Sequence, residues 1–141
     1  MRALGLDIGT KRIGVALSDE LGMTAQPLAV LENRGKAVIR ELANLAKTHE
    51  VQCWVVGLPL NMDGTEGPMA QMARGFGAQL EAATRLHVIF WDERLSSVAA
   101  ERALLEGDVS RQRRRQVIDQ VAAALILQGW LDSQAKAPQE E

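Results

Sequence analysis

A mixed α/β fold is what this sequence predicts: five strands, the first three antiparallel, with helices on both faces of the sheet. Three observations point there. The chain opens with two strand-like stretches joined by a tight turn, the mark of an antiparallel hairpin. Strands and helices then alternate, the pattern of parallel strands with crossover helices. Two of the later strands, Val51 to Val56 and His87 to Trp91, are continuous apolar runs, as expected for strands covered on both faces.

Each element has its own justification. In the hairpin, Leu4, Leu6 and Ile8 alternate with Gly5, Asp7 and Gly9, the period of two that a strand shows. The second strand ends near Ser18, and Ser18 and Asp19 suit a turn or a cap. Thr24 to Leu31 reads as a third strand in which Pro27 marks an edge or a strand start. Residues Gly35 to His49 carry Val38, Ile39, Leu42, Leu45 and Ala46 at helical spacing. Gly57 to Pro68 is long for a connection, and long loops are commonly functional. Met69 to Ala83 reads as a second helix. His87 to Trp91 runs directly into Asp92-Glu-Arg94. Ser96 or Ser97 can cap a helix through Glu106, and Ser110 a last helix to about Leu131. Gln134 to Glu141 is polar and contains a proline, so it is expected to fray. The expected organisation is one domain over 1–133 and a flexible tail over 134–141.

Composition bounds the function. A chain of 141 residues, 47% hydrophobic and 24% charged, is large enough to bury its own core. The formal net charge of −2 argues against a protein that coats nucleic acid indiscriminately, while leaving room for a local basic patch. No apolar run reaches the length of a membrane span, and the strand-like start leaves no place for a leader. The single Cys53 excludes an internal disulfide and fits a reducing cytosol. The expected location is cytoplasmic, with no membrane partner.

The residues that carry chemistry are carboxylates first. Asp7 sits in a strand between glycines, a local inconsistency of the kind that marks functional sites. The glycines open the backbone around Asp7 to close approach, with a metal or a phosphate as the natural candidate. Asp92 and Glu93 follow an apolar strand and point to opposite sides, so one of them faces the site and the other is free to pair with Arg94. Asp119 lies in a helix segment that is apolar on most sides, where a carboxylate needs solvent, a cation or a strong donor. Together these acids suggest a site of hard oxygen ligands for Mg²⁺ or Mn²⁺. Two such ions can activate a water and stabilise the leaving oxygen in phosphodiester hydrolysis. Among the cations, Arg111, Arg113, Arg114 and Arg115 crowd the start of the last helix, where the dipole disfavours positive charge. That points to an anionic partner such as a phosphate backbone, against a plain solvated face paired with Glu101, Glu106 or Asp108. Lys11 and Arg12 lie in the hairpin turn beside Asp7. Cys53 reads as a core thiol, Trp54, Trp91 and Trp130 as core residues. Met62, Met69 and Met72 border the long loop, as a contact surface or as packing. His49 and His87 pair with no nucleophile.

Four short segments then resemble one family. Asp7-Ile-Gly-Thr-Lys-Arg-Ile-Gly-Val-Ala16 with Ser18-Asp19, Val56-Gly-Leu-Pro-Leu-Asn-Met-Asp-Gly64, Asp92-Glu-Arg-Leu-Ser-Ser97 and Ile118-Asp-Gln-Val-Ala-Ala123 occur in the order seen in the YqgF family, the Holliday-junction-resolvase-like or pre-16S rRNA nucleases. The resemblance implies a ribonuclease-H-like fold and a part in maturing the 5′ end of 16S ribosomal RNA, on the ribosomal particle or off it. It implies an acidic triad of Asp7, Glu93 and Asp119 binding two ions. The family's basic segment before the last acid, lysine-rich there, matches Arg111, Arg113, Arg114 and Arg115, which with Lys11, Arg12 and Arg94 are expected to contact phosphate. The loop residues Gly57, Pro59, Asn61, Asp63 and Gly64 would meet the substrate. Branched DNA is the alternative substrate, cut by a homodimer where a monomer would serve RNA processing. Two other classes stand beside these. Asp7-Ile-Gly-Thr10 also resembles the phosphate loop of actin-like ATPases and sugar kinases, whose second such domain has no counterpart here. A non-catalytic RNA-binding module would place its acids poorly, since they repel phosphate unless a cation intervenes.

Overall fold

The structure, a computed structural model, describes residues 1–95 and 111–136, with side chains in the second stretch from 118 to 135. Strands β1 (Ala3–Ile8), β2 (Arg12–Ser18) and β3 (Ala25–Glu32) are followed by helix α1 (Lys36–Thr48), β4 (Cys53–Leu58), α2 (Pro68–Thr84) and β5 (His87–Asp92). A short 3₁₀ turn (Glu93–Leu95) and a long helix, α3 (Arg111–Lys136), complete them. The sheet order is β3-β2-β1-β4-β5. β1, β2 and β3 pair antiparallel, while β1, β4 and β5 run parallel. The expected mixed sheet with an antiparallel start is therefore what forms. β3 is an edge, and Pro27 sits in it beside a register shift at Val15/Ala16, as a proline without an N–H requires.

The strand alternation sorts large from small side chains. Leu4, Leu6, Ile8, Ile13, Val15, Trp54, Val56 and Leu58 pack with Val38, Ile39 and Leu42 of α1 and Ala73, Phe76 and Leu80 of α2. The opposite face offers Ala3, Ala16, Cys53 and Val55, packed with Ala122, Ala123, Ile126, Leu127 and Trp130 of α3. Gly5, Gly14 and Gly57 lie in the same rows by the period of two. Bulk on one side and small residues on the other let α3 lie close to the sheet. Burying a leucine-sized side chain contributes about 1.5–3 kcal/mol, and the α1/α2 face supplies most of that.

The helix ends follow local rules. Pro68 opens α2 after Gly67, where a missing N–H costs nothing. Arg85, at φ 60, closes α2 in the left-handed region and donates its backbone N–H to Glu81. α1 runs from Gly35, at φ 66, and buries Val38, Ile39, Leu42 and Ala46. Several boundaries differ from the sequence reading. β4 begins at Cys53 and runs to Leu58, because Val51 and Gln52 hydrogen-bond to Ala46 and Arg2 as the chain enters the sheet. α3 continues through Lys136, into the segment expected to fray. The helix expected from Ser96 or Ser97 to Glu106, its successor's cap at Ser110, and residues 137–141 lie outside the described residues.

Candidate active site

The parallel strands β1, β4 and β5 end at one edge of the sheet, where open α/β sheets bind ligands. Asp7 stands one residue before the end of β1, and Glu93 follows the last residue of β5. Asp119 lies on α3, one helical turn before the sheet-packed Ala123. These three carboxylates line one cavity of about 450 Å³, together with Gly9, Thr10, Lys11, Arg12, Pro59 and Met69.

Glycines permit this convergence. Gly14 faces Asp7 across the β1–β2 ladder, and a Cβ there would stand 2.0 Å from the Asp119 carbonyl oxygen. A Cβ on Gly57 would lie 2.5 Å from Glu93 Oε1 and 2.5 Å from Ile126 Cδ1. The glycines flanking Asp7 differ from expectation. The space at Gly5 is taken by α3 itself, with Leu127 Cβ at 2.6 Å of a built Cβ, and that at Gly9 by the Arg12 carbonyl oxygen at 2.7 Å. They serve helix packing and the hairpin turn. That turn is tied down by Asn33, which donates Nδ2–H to the Gly9 carbonyl at 2.8 Å and its backbone N–H to Lys11 at 2.9 Å.

Charges divide around the cavity. Arg12 Nε donates to Asp119 Oδ2 at 2.7 Å. Arg94 forks onto Asp92, with Nη2 on Oδ2 at 2.8 Å, and donates Nη1–H to the Met62 carbonyl at 3.3 Å. So Glu93 faces the cavity while Asp92 pairs with Arg94, and Arg94 braces the β4–α2 loop. The Arg94 hydrogen bond holds the Asp92 carboxyl below its ordinary range. Within the loop, Asn61 donates to Thr65 Oγ1, and Thr65 donates to Asp63 Oδ1 from its backbone and its hydroxyl, which lowers the Asp63 pKa. Asn61, Asp63 and Gly64 thus make their own turn, while Pro59 alone of these loop residues lines the cavity.

The donor set fits a hard divalent cation: three carboxylates on one cavity, with the Cys53 thiol buried in the α3 core and its pKa raised by that burial. Among the described residues no three His, Cys, Asp or Glu side chains are drawn into a ligand cluster. One Asp119 oxygen is engaged by Arg12.

A family model described as the Holliday junction resolvase RuvX matches residues 1–133. The chain belongs to the RuvX family. A relative from Myxococcus xanthus, named "Putative pre-16S rRNA nuclease", is 58% identical over 134 residues, covering 94% of this chain and 89% of its own. One of the same name from Symbiobacterium thermophilum is 55% identical over 141 residues, covering 99% and 98%. Among solved structures, Thermus thermophilus RuvC in complex with a Holliday junction substrate shares the fold at TM-score 0.60 and 12% identity, covering 97% of this chain and 98% of its own. The fowlpox virus Holliday junction resolvase does so at TM-score 0.53 and 15% identity, covering 95% and 99%. The fold of this RuvX-family chain is thus the ribonuclease-H-like resolvase fold, and its family is one of nucleases.

The structure gathers Asp7, Glu93, Asp119, Lys11, Arg12 and Pro59, and it sets Arg94, Asn61, Asp63 and Gly64 outside the cavity lining. Arg111, Arg113, Arg114 and Arg115 lie in the first turns of α3, eight to four residues before Asp119, and their side chains lie outside the described residues. The sequence reading missed Asn33 and Gly14. Asn33 sits in an ordinary turn sequence, and Gly14 is named only by the register that sets it opposite Asp7. Among the methionines, Met69 lines the cavity, Met62 is 94% exposed and Met72 packs on the core. Asp19 accepts from Met23 and Thr24, the turn role expected of it, and the Met23 bond lowers its pKa; Ser18, buried at the end of β2, instead accepts the Ala3 N–H at the start of β1. Trp54 is fully buried, its indole N–H on Thr84.

Proposed function

We propose that this protein is a metal-dependent nuclease that hydrolyses phosphodiester bonds in structured RNA, the 5′ end of precursor 16S ribosomal RNA first. The observation that carries the reading is the convergence of Asp7, Glu93 and Asp119 with Lys11 and Arg12 on one cavity. The names of the relatives favour the RNA substrate.

Asp7, Glu93 and Asp119 would hold Mg²⁺ or Mn²⁺, two ions in the full site. Such ions lower the pKa of a bound water and neutralise the developing charge on phosphate. Lys11 and Arg12 grip the phosphate beside the scissile bond, and the arginines of α3 extend that grip along the backbone. Glu93 orients the attacking water and accepts its proton. The water oxygen bonds to phosphorus, the bond to the leaving sugar oxygen breaks, and that oxygen takes a proton from solvent. Asp7→Asn removes a ligand charge with little change of shape. It is expected to abolish Mn²⁺-dependent cleavage of precursor 16S RNA while folding and RNA binding persist. Parent-like cutting by that variant would defeat the assignment.

The family's description favours a second reading, resolution of branched DNA, which needs paired incisions by a symmetric dimer. Light scattering with and without a four-way junction separates the two: a monomer in both runs argues against resolution. Residues 1–133, the span of the family match, would form the nuclease domain, with the remainder as a tail. Among the described residues no helix is long and apolar enough to cross a membrane, and the single thiol suits a reducing cytoplasm.

A further inference from the structure

We propose that Arg12 is a positioning residue, an internal counter-ion that occupies Asp119 until nucleic acid draws it away and a divalent cation replaces it. The inference rests on the nuclease reading above. Arg12 Nε and Asp119 Oδ2, separated by 107 residues of chain, lie 2.7 Å apart, with side chains 31% and 19% exposed. Both line the cavity that Asp7 and Glu93 share.

The main chain of Arg12 is pinned. Its carbonyl accepts the Gly9 N–H, it pairs with Glu32 across β2–β3, and Asn33 ties the turn at Gly9 and Lys11. Only the long side chain is left to move. Lys11 lines the same cavity and makes no ion pair with the described residues. The two cations of the turn therefore divide their work: Lys11 faces incoming phosphate, and Arg12 neutralises an acid of the site. A guanidinium bound through Nε also keeps its terminal N–H donors for a phosphate.

The consequence is competition. A guanidinium and a divalent cation seek the same carboxylate and repel each other, so in the free protein Arg12 weakens cation binding. A phosphate on the turn gives Arg12 another anion, and Asp119 is released. Cation and nucleic acid then bind with positive coupling, reciprocal by linkage, and the site is completed when substrate is present.

The test reads two equilibria in the full-length protein. Mn²⁺ alone is titrated calorimetrically into the parent, Arg12→Gln and Arg12→Lys. A labelled precursor 16S RNA fragment is titrated in EDTA by fluorescence anisotropy. Arg12→Gln is expected to bind Mn²⁺ about twofold to fivefold tighter, the scale of a partly exposed ion pair, and to bind RNA more weakly. Arg12→Lys, which keeps the charge, is expected to stay near the parent in both. Damage to the fold would weaken both equilibria together. Arg12→Met repeats the neutral substitution if the glutamine variant fails to fold. Unchanged or weaker Mn²⁺ binding in a folded neutral variant overturns the counter-ion role. Failure of the nuclease reading shows separately, as a parent whose Mn²⁺ binding is absent or survives Asp7→Asn, and it takes this inference with it.

Discussion

Gly14→Ala tests how the acidic cavity is assembled. Gly14 lies opposite Asp7, and its missing side chain is filled by the backbone of α3 at Asp119. An alanine Cβ would stand 2.0 Å from that carbonyl oxygen and 2.7 Å from its carbon. Carbon and carbonyl oxygen ordinarily approach to about 3.3 Å, so α3 must retreat by more than about 1 Å at the residue that carries a proposed ligand. The helix cannot yield freely, because Ala122, Ala123, Ile126 and Leu127 are packed on the sheet. Overpacking of this kind costs about 1–3 kcal/mol, or roughly 2–12 °C in melting temperature for a chain of this size. Activity should suffer more than stability, since a misplacement of about 1 Å can cost on the order of 100-fold in rate. Melting by circular dichroism and Mn²⁺-dependent cleavage of precursor 16S RNA measure the two effects side by side. Gly75→Ala is the control: it lies in α2, exposed, with no heavy atom within 4 Å of a built Cβ. It should stabilise by about 0.5–1 kcal/mol and leave cleavage alone. Parent-like melting and cleavage in Gly14→Ala would refute the claim that close helix–sheet packing places Asp119.

Two further outcomes follow from the same geometry. Gly57→Ala would displace the side-chain ends of Glu93 and Ile126, and is expected to lower kcat by about tenfold or more with a smaller loss in melting temperature; equal losses in both would indicate general damage. Arg94→Gln removes the brace between Asp92 and the loop carbonyl of Met62. Because the folded-state pKa of Asp92 is lowered, its contribution is present above the ordinary value of 3.8 and is lost as pH falls through the lower folded value. The parent should therefore be slightly more stable than this variant at neutral pH, the small margin of a solvent-screened pair. Chemical denaturation should show that margin closing below pH 3.8, and a margin that widens in acid would contradict the assigned pair.

Much of this was legible in the sequence because periodicity reports burial directly. The alternation of Leu4, Leu6 and Ile8 and the apolar runs of β4 and β5 identified the sheet, and Pro27 marked its edge. The acids were legible as local misfits: Asp7 in a strand, Asp119 in an apolar helix. The meaning of the glycines was not. Gly5 and Gly9 look like openings for a ligand, yet α3 fills the space at one and the Arg12 carbonyl that at the other, and Gly14 gains its meaning only from the strand register. Arg12 and Arg94 looked alike as phosphate contacts. One is held by Asp119 and the other by Asp92, a difference set by side-chain direction at the end of β5 and by the closeness of α3, which short motifs do not encode. The loop from Gly57 was recognised by its length, while its Asn61–Thr65 turn depends on side-chain hydrogen bonds that composition only hints at.

If Asp7, Glu93 and Asp119 form a single cation site despite their separation in the chain, one ion should touch all three. Anomalous scattering from crystals soaked in Mn²⁺ measures it most directly. A peak is expected inside the cavity, contacted by carboxylate oxygens of all three residues, with the Arg12 guanidinium displaced from Asp119. A saturating soak that leaves the cavity empty, or that places Mn²⁺ only on exposed acids such as Asp63, would contradict it.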